Sequence, residues 1–227
     1  MVILHGGLGP GGHYQHNIPE FQKHFRLITI HTRGHGKSSD NDTPFSYSSF
    51  ADDVNNVLEH LHVKSTNVIG FSDGGVIGYQ VAAKYPEKVK KLITVGSNYK
   101  VEGLTAGTLD WTKNSLSPKY VSENMPDIKK TFTTLNPNPE NFDNYINKTQ
   151  KMWLRDPYVN EELFKSIQSP ILILAGDNDA ITLEHLIEMH TLLENSQLCI
   201  IPDATHFVLS EKPEIVNKIC LDFLIEE

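Results

Sequence analysis

The chain has 227 residues, of which 39% are hydrophobic and 21% charged, a composition typical of a folded globular protein and not of a disordered one. The net charge of −8 argues against a nucleic-acid backbone as partner. Its two cysteines lie in apolar segments and its first residues hold no long apolar stretch, so we predict no disulfide framework, no signal peptide, no membrane contact and a cytoplasmic protein.

The first predicted strand, residues 2–4, leads into the glycine-rich stretch HGGLGPGG. Its glycines match the G-x-G-x-x-G spacing of a dinucleotide-binding turn. That turn requires an acid at the end of the next strand, predicted over residues 26–32, but histidine, threonine and arginine stand there. Pro10 also removes a backbone N–H that would face a pyrophosphate. The sequence therefore does not favour a nucleotide, and we predict no organic cofactor.

The second strand ends in HTRGHGKSS, which resembles a phosphate-binding loop. The pattern G-x-x-x-x-G-K-S requires glycine at position 31, where this chain has His31, so the first turn of the phosphate cradle is missing. We interpret the segment as a tight loop at the end of a strand.

The third strand, residues 67–71, is followed by the motif Gly70-Phe71-Ser72-Asp73-Gly74 and then by a helical pattern. A G-x-S-x-G motif between a buried strand and a helix is typical of a sharp turn that exposes a nucleophilic serine. Glycines two residues on either side let the strand and the helix approach each other. Ser72 is therefore the predicted nucleophile.

Further apolar runs at residues 91–96, 170–176 and 197–202 complete a set of strands that alternate with helical patterns. This alternation predicts a mostly parallel, doubly wound α/β sheet. Residues 100–165 carry no strand-like run but several prolines and aromatic residues, and we interpret them as a helical insertion over the sheet.

A serine hydroxyl becomes a useful nucleophile only when a base takes its proton, and an acid must orient that base. The loop after strand 170–176 offers Asp177 and Asp179, and the loop after the last strand offers His206. The chain order serine, acid, histidine is that of the nucleophile-turn hydrolases. We favour Asp179, because Asp177 directly follows a glycine and is typical of a turn residue.

The negative charge that develops on an attacked carbonyl oxygen requires fixed hydrogen-bond donors. The backbone N–H of Asp73 is one candidate, and that of Gly7 in the loop after the first strand is the other. Leu8 is the alternative donor. Leu8 and Trp153, which belongs to the insertion, are also candidate substrate contacts. We predict no metal in this site.

Together, the segments HGGLG, TRGHGKS, GFSDGG, GDNDAIT and ATHF resemble the α/β-hydrolase superfamily along nearly the whole chain. The resemblance implies a core formed by residues 1–99 and 166–227, with residues 100–165 as a helical lid. GFSDGG is also similar to the biphenyl-hydrolase-like proteins, including valacyclovirase. That similarity implies that Asp73 holds the α-amino group of an amino-acid ester. A simpler alternative is that Asp73 only stabilises the start of a helix.

Members of this superfamily usually have an antiparallel hairpin before the HGG strand, and this hairpin is absent from the given sequence. Strand 26–32 would then be an uncovered edge, so we expect a homo-oligomer or aggregation through it.

The sequence thus predicts a serine hydrolase that cleaves small carboxylic esters, with α-amino-acid esters as a subset. Two alternatives stay open: a carbon–carbon bond hydrolase or aminopeptidase-like enzyme with the same three residues, and a ligand receptor on this fold without turnover.

Overall fold

The computed structural model describes residues 1–10, 12–41, 43–155 and 157–225. Within these residues six strands form one sheet in which every neighbouring pair is parallel, in the order β2-β1-β3-β4-β5-β6. This confirms the predicted parallel α/β sheet. The strands are β1 Val2–Leu4, β2 Ile28–Ile30, β3 Thr66–Phe71, β4 Val89–Val95, β5 Ile171–Asn178 and β6 Ser196–Thr205.

Both faces of the sheet are covered by hydrophobic cores. Successive side chains of a strand point to opposite sides, so a strand can contribute to both cores. In β1, Val2 and Leu4 belong to one hydrophobic core, whereas Ile3 belongs to a second core on the other face. The strands therefore read as continuous apolar runs, as expected for a parallel sheet between two layers of helices.

Eleven α-helices lie within the described residues. The last one begins at Pro213, because proline fits the first turn of a helix, where the backbone N–H groups have no partner within the helix. The helices are α1 Ile18–Phe21, α2 Tyr47–His60, α3 Asp73–Lys84, α4 Ala106–Asn114, α5 Pro118–Asn124, α6 Pro126–Leu135, α7 Phe142–Trp153, α8 Glu161–Lys165, α9 Leu183–Leu192, α10 Val208–Glu211 and α11 Pro213–Ile225.

Helices α4 to α8 follow one another between β4 and β5. The α7 helix is tied to the core loop after β2 by an ion pair between Lys148 Nζ and Asp40 Oδ2, 2.7 Å apart, with both side chains largely buried. It is tied to its helical neighbours by Gln150, which donates to the backbone oxygens of Thr112 and Leu116. The limits of the lid at residues 100 and 165 stay a prediction.

Strand β2 lies at one edge of the sheet. It covers only Ile28–Ile30, not residues 26–32, because its single neighbour β1 has three residues and the ladder ends with it. An edge strand this short offers few unpaired backbone groups. Self-association through this edge stays a prediction.

Candidate active site

Ser72 occupies a strained turn between β3 and α3. Its backbone has φ 52° and ψ −120°, a region that non-glycine residues rarely adopt. A Cβ on Gly70 would lie 2.2 Å from the backbone oxygen of Gly74, and one on Gly74 would lie 2.3 Å from that of Leu4. The two glycines therefore allow strand, helix and turn to pack closely enough to hold the serine in this conformation.

Three side chains meet at the carboxyl end of the sheet. His206 Nε2 lies 3.1 Å from Ser72 Oγ, and His206 Nδ1 lies 2.7 Å from Asp179 Oδ1. Ser72, Asp179 and His206 each directly follow the last residue of a strand, respectively β3, β5 and β6. The Asp179 carboxylate is fully buried and also accepts a hydrogen bond from the backbone N–H of Ile181. A carboxylate held in this way fixes the orientation of the imidazole.

Asp177 has a different position from Asp179. It is exposed at the end of β5, and its Oδ1 accepts a hydrogen bond of 3.1 Å from the backbone N–H of Ala204. Backbone hydrogen bonds from Ala204 and Asp203 lower the pKa of Asp177. This acid therefore joins the ends of β5 and β6 and does not contact His206.

Gly96 is a residue of the site that the sequence analysis missed. It lies at the end of β4 with φ +59°, and a Cβ there would be 2.9 Å from His206 Nδ1 and 3.0 Å from Asp179 Oδ2. Any side chain would push into the contact between the histidine and the acid. A glycine at the carboxyl end of a strand next to the nucleophile turn was the available sequence signal.

Ser97 also escaped the sequence analysis. Its hydroxyl is buried and donates a hydrogen bond of 2.8 Å to the backbone oxygen of Ser72, with the oxygen of Val95 as a second acceptor at 3.2 Å. A Cβ on Gly75 would lie 2.0 Å from Ser97 Oγ. The second glycine of the sequence DGG therefore makes room for this hydroxyl, and it is the signal that could have revealed it.

The loop after β1 brings Gly7 and Leu8 to the wall of a cavity that Ser72 and His206 also line. A Cβ on Gly7 would lie 2.3 Å from the Trp153 indole and 2.7 Å from Asp73 Oδ2, so only glycine fits between them. Asp73 is the first residue of α3, where the backbone N–H has no acceptor within the helix. Leu8 has φ 58° and lies in the wall of the same cavity.

His5 holds the start of this loop. The backbone N–H of Thr32 donates to His5 Nε2 at 3.1 Å, so the proton of the neutral ring is assigned to Nδ1, which donates to the backbone oxygen of Gly6 at 2.7 Å. Burial, together with the nearby His35, lowers the pKa of His5 to about 3. The ring therefore stays neutral and keeps this pair of hydrogen bonds near neutral pH.

The Asp73 carboxylate is half-buried beside the nucleophile. It accepts hydrogen bonds of 2.8 Å from the Tyr47 hydroxyl and 2.8 Å from the Trp153 indole N–H, one on each oxygen. Burial raises the pKa of Asp73 to about 6, although both hydrogen bonds and the nearby His206 oppose that rise. Trp153 belongs to α7, so this acid also joins the inserted helices to the core.

These groups surround a cavity of about 560 Å³, a size that accommodates a small organic molecule. Its wall is mainly apolar, and its charged residues, within the part of the chain that the structure describes, are the acids Asp73 and Asp127 without a lysine or arginine. The wall consists of Gly7, Leu8, Gly9, Gly12, His13, Tyr47, Phe71, Ser72, Asp73, Asn98, Leu104, Thr108, Trp111, Thr112, Met125, Asp127, Ile128, Thr131, Trp153, Tyr158, Ala180, Ile181, His206 and Phe207.

The described residues contain no group of three or more histidines, cysteines, aspartates or glutamates arranged to hold a metal ion. Across the same residues, every helix is too short or too polar to span a lipid bilayer.

A strained serine after a parallel strand, followed along the chain by an acid and a histidine within hydrogen-bonding distance, is the arrangement of nucleophile-turn hydrolases. A family model described as the alpha/beta hydrolase fold matches residues 1–213, and the chain belongs to that family. The protein is accordingly a hydrolase.

Similar proteins support this class. The human serine hydrolase BPHL is 26% identical over 99% of this chain and 78% of its own length. The 2-hydroxy-6-oxononadienedioate/2-hydroxy-6-oxononatrienedioate hydrolase of Comamonas testosteroni is 24% identical over 99% and 87%. The crystal structure of the enol-lactonase from Burkholderia xenovorans LB400 superposes with a TM-score of 0.76 at 18% identity, covering 99% of this chain and 90% of that one, which shows the shared fold.

Proposed function

We propose that this protein is a serine hydrolase that cleaves small carboxylic esters through an acyl-enzyme on Ser72. The observation that carries the proposal is the unbroken series of hydrogen bonds from Ser72 through His206 to the buried Asp179, at the wall of a cavity of about 560 Å³.

In the proposed reaction His206 Nε2 takes the proton of Ser72 Oγ as that oxygen attacks the ester carbonyl carbon. Asp179 orients the ring and stabilises the imidazolium. The backbone N–H groups of Gly7 and Asp73 donate to the oxyanion. His206 then protonates the departing alcohol oxygen, and the carbonyl re-forms as an ester to Ser72. Water, deprotonated by His206, then attacks the acyl carbon, and His206 returns the proton to Ser72 Oγ as the bond between that oxygen and the acyl carbon breaks and the acid departs.

The negative charge of the cavity wall disfavours substrates that carry carboxylates. The dioate compounds in the name of the Comamonas relative carry two carboxylates, and in this chain such a substrate would meet Asp73 and Asp127 with no described lysine or arginine in the wall. A like charge in a partly desolvated site is unfavourable. Uncharged and cationic esters fit this wall better.

Esters with an α-amino group are the subset that Asp73 would favour. Two of the lone-pair positions of its carboxylate accept hydrogen bonds from Tyr47 and Trp153, which leaves positions for a substrate ammonium group. A charge-assisted bond of this kind contributes about 1.5–3 kcal/mol, a preference of roughly ten- to a hundredfold.

Stopped-flow measurements with a nitrophenyl ester test the ester hydrolase. We expect a burst of nitrophenol as Ser72 is acylated, followed by sustained turnover. A single slow release of nitrophenol without turnover would favour a ligand receptor instead. The amino-ester subset is tested separately, by comparing matched esters with and without an α-amino group on the wild type and on Asp73→Asn. Equal rates across that panel would contradict it.

A further inference from the structure

His13 is a cavity residue that the proposed reaction does not use. It lies in the glycine-rich loop after β1, and its half-buried imidazole forms part of the cavity wall. Burial lowers the pKa of His13, and nearby His206 lowers it further, so the ring is neutral at pH 7. A neutral imidazole carries one N–H donor and one acceptor nitrogen.

Most polar side chains of this cavity already bond to the protein. Asn98 donates to a backbone oxygen at 2.7 Å, for example, and Thr112 to another at 2.8 Å. Among the lining side chains of the described residues, His13, Trp111, Asp127 and Thr131 have no hydrogen bond to the protein, and the Trp111 indole carries only a donor. Asp127 is exposed at its position on α6, whereas the His13 ring is half-buried and packs against Phe71 and Phe207.

Two phenyl rings fix the position of His13 relative to the reacting groups. The His13 ring lies 4.8 Å from Phe71 and is stacked on Phe207 at 5.8 Å. The same two rings contact His206, at 5.0 Å and 5.7 Å. The two imidazoles therefore lie on the same side of the cavity, and aromatic packing restricts the movement of the His13 ring.

This side of the cavity is where the alcohol portion of an ester would lie. His206 gives its proton to the departing oxygen, so the atoms attached to that oxygen extend from His206 along the adjoining wall. We propose that His13 forms a leaving-group subsite, in which its imidazole hydrogen-bonds to an oxygen atom within the alcohol portion of the substrate. The inference rests on the proposed ester hydrolysis and adds its substrate class: esters of alcohols that bear an ether, hydroxyl or carbonyl oxygen.

A partly desolvated ring nitrogen without a partner discriminates against substrates that leave it unpaired. An oxygen at the correct position should therefore raise kcat/KM by about two- to tenfold over a methylene group, the net effect of one neutral hydrogen bond. Substrates with purely alkyl alcohols would be hydrolysed without this gain.

The test uses a set of alkyl esters with one acyl group, in which an ether oxygen replaces one methylene of the alcohol at successive positions. For each pair, the ratio of kcat/KM for the ether to that for the alkyl ester is measured in wild type, His13→Phe and His13→Asn. The two esters of a pair differ in intrinsic reactivity by an amount that does not depend on the enzyme. This difference therefore cancels when the ratio is compared between variants. We expect the ratio at one position to fall about two- to tenfold in His13→Phe and to recover partly in His13→Asn.

Thr131→Val is the comparison variant, because it removes a half-buried hydroxyl of the same cavity wall that also has no hydrogen bond to the protein. Wild-type ratios in Thr131→Val, together with a fall in His13→Phe, assign the effect to His13. If all the ratios stay at wild-type values in His13→Phe while turnover depends on Ser72, the subsite is wrong and the ester hydrolase stands. If turnover persists in Ser72→Ala, the proposed function fails and the subsite fails with it. Covalent labelling of His13→Phe by a fluorophosphonate shows whether that variant is folded.

Discussion

The hydroxyl of Ser97 donates a 2.8 Å hydrogen bond to the backbone oxygen of Ser72. That oxygen belongs to the same peptide group as the N–H of Asp73, one of the two proposed oxyanion donors. A hydrogen bond to an amide oxygen fixes the peptide plane and makes the N–H on its other side a stronger donor. Ser97 is therefore a positioning residue that acts through the Ser72–Asp73 peptide.

We predict that Ser97→Ala lowers kcat by about two- to tenfold with little change in KM, since the affected donor acts on charge that develops in the transition state. The affinity for a boronic acid that forms a tetrahedral adduct should fall by a similar factor. Thr94→Val is the control, because it removes a buried hydroxyl of β4 that is hydrogen-bonded to Tyr79. If both variants lose stability but only Ser97→Ala loses kcat, the effect is local; equal losses of kcat would contradict this role.

A second prediction concerns Gly96, where a methyl group would lie 2.9 Å from His206 Nδ1 on a backbone with φ +59°. Gly96→Ala should displace the histidine from the acid, and a displacement of about 1 Å costs on the order of a hundredfold in rate. Gly107→Ala is the matched control, because a Cβ there meets no atom within 4 Å. Ester turnover by both variants is the measurement, and a Gly96→Ala enzyme as active as Gly107→Ala would refute the packing argument.

A third prediction follows from the pKa of Asp73, which burial raises to about 6. Only the ionised carboxylate attracts an ammonium group, so the preference for an amino ester over its matched ester should increase as pH rises from 5 to 7. Both substrates use the same reacting groups, so the pH dependence of the shared chemistry cancels in the ratio of their kcat/KM values. Asp73→Asn should show a flat ratio; a flat ratio in the wild type would argue against the amino-ester subset.

A fourth prediction concerns acid stability. Burial opposes ionisation of Glu188, but hydrogen bonds from Lys100, Tyr99 and His185 bring the pKa of Glu188 down to about 2. Its contribution to stability is complete above the unfolded pKa of about 4.5 and is lost as the pH falls toward 2. Glu188→Gln should therefore reduce the free energy of unfolding in urea more at pH 7 than at pH 3.

Glu184→Gln, on an exposed position of the same helix, is the control for that experiment. Glu184 lies in the first turn of the helix, so its loss should cost about 0.3–1 kcal/mol at pH 7, less than the loss of Glu188. A Glu188→Gln deficit that is as large at pH 3 as at pH 7 would show that the charge of Glu188 does not stabilise the fold.

The positions of Ser72, Asp179 and His206 could be inferred from the sequence, because each follows a buried apolar run and parallel strands end at the same edge of a sheet. The overall fold was predictable for the same reason and is confirmed. Strand β2 is shorter than predicted because its neighbour β1 has only three residues. The hydrophobicity of residues 26–32 does not reveal the length of that neighbour.

Other parts of the site depend on contacts between distant segments, which a single sequence does not reveal. Trp153 lies 80 residues from Asp73, within helices whose packing has no simple periodic signature. Ser97 is a small polar residue in a loop, and only the space left by Gly75 identifies it. His13 is one of 11 histidines, and its position beside Phe207 depends on how two loops pack.

The central claim is that Ser72 forms a covalent acyl-enzyme that His206 and Asp179 make possible. Intact-protein mass spectrometry after treatment with a fluorophosphonate, combined with nitrophenyl-ester turnover, tests it directly in the wild type and in Ser72→Ala. We predict one adduct on Ser72 in the wild type, and neither adduct nor turnover in a folded Ser72→Ala protein. Wild-type turnover by Ser72→Ala, or an active wild type that takes up no fluorophosphonate, would contradict the claim.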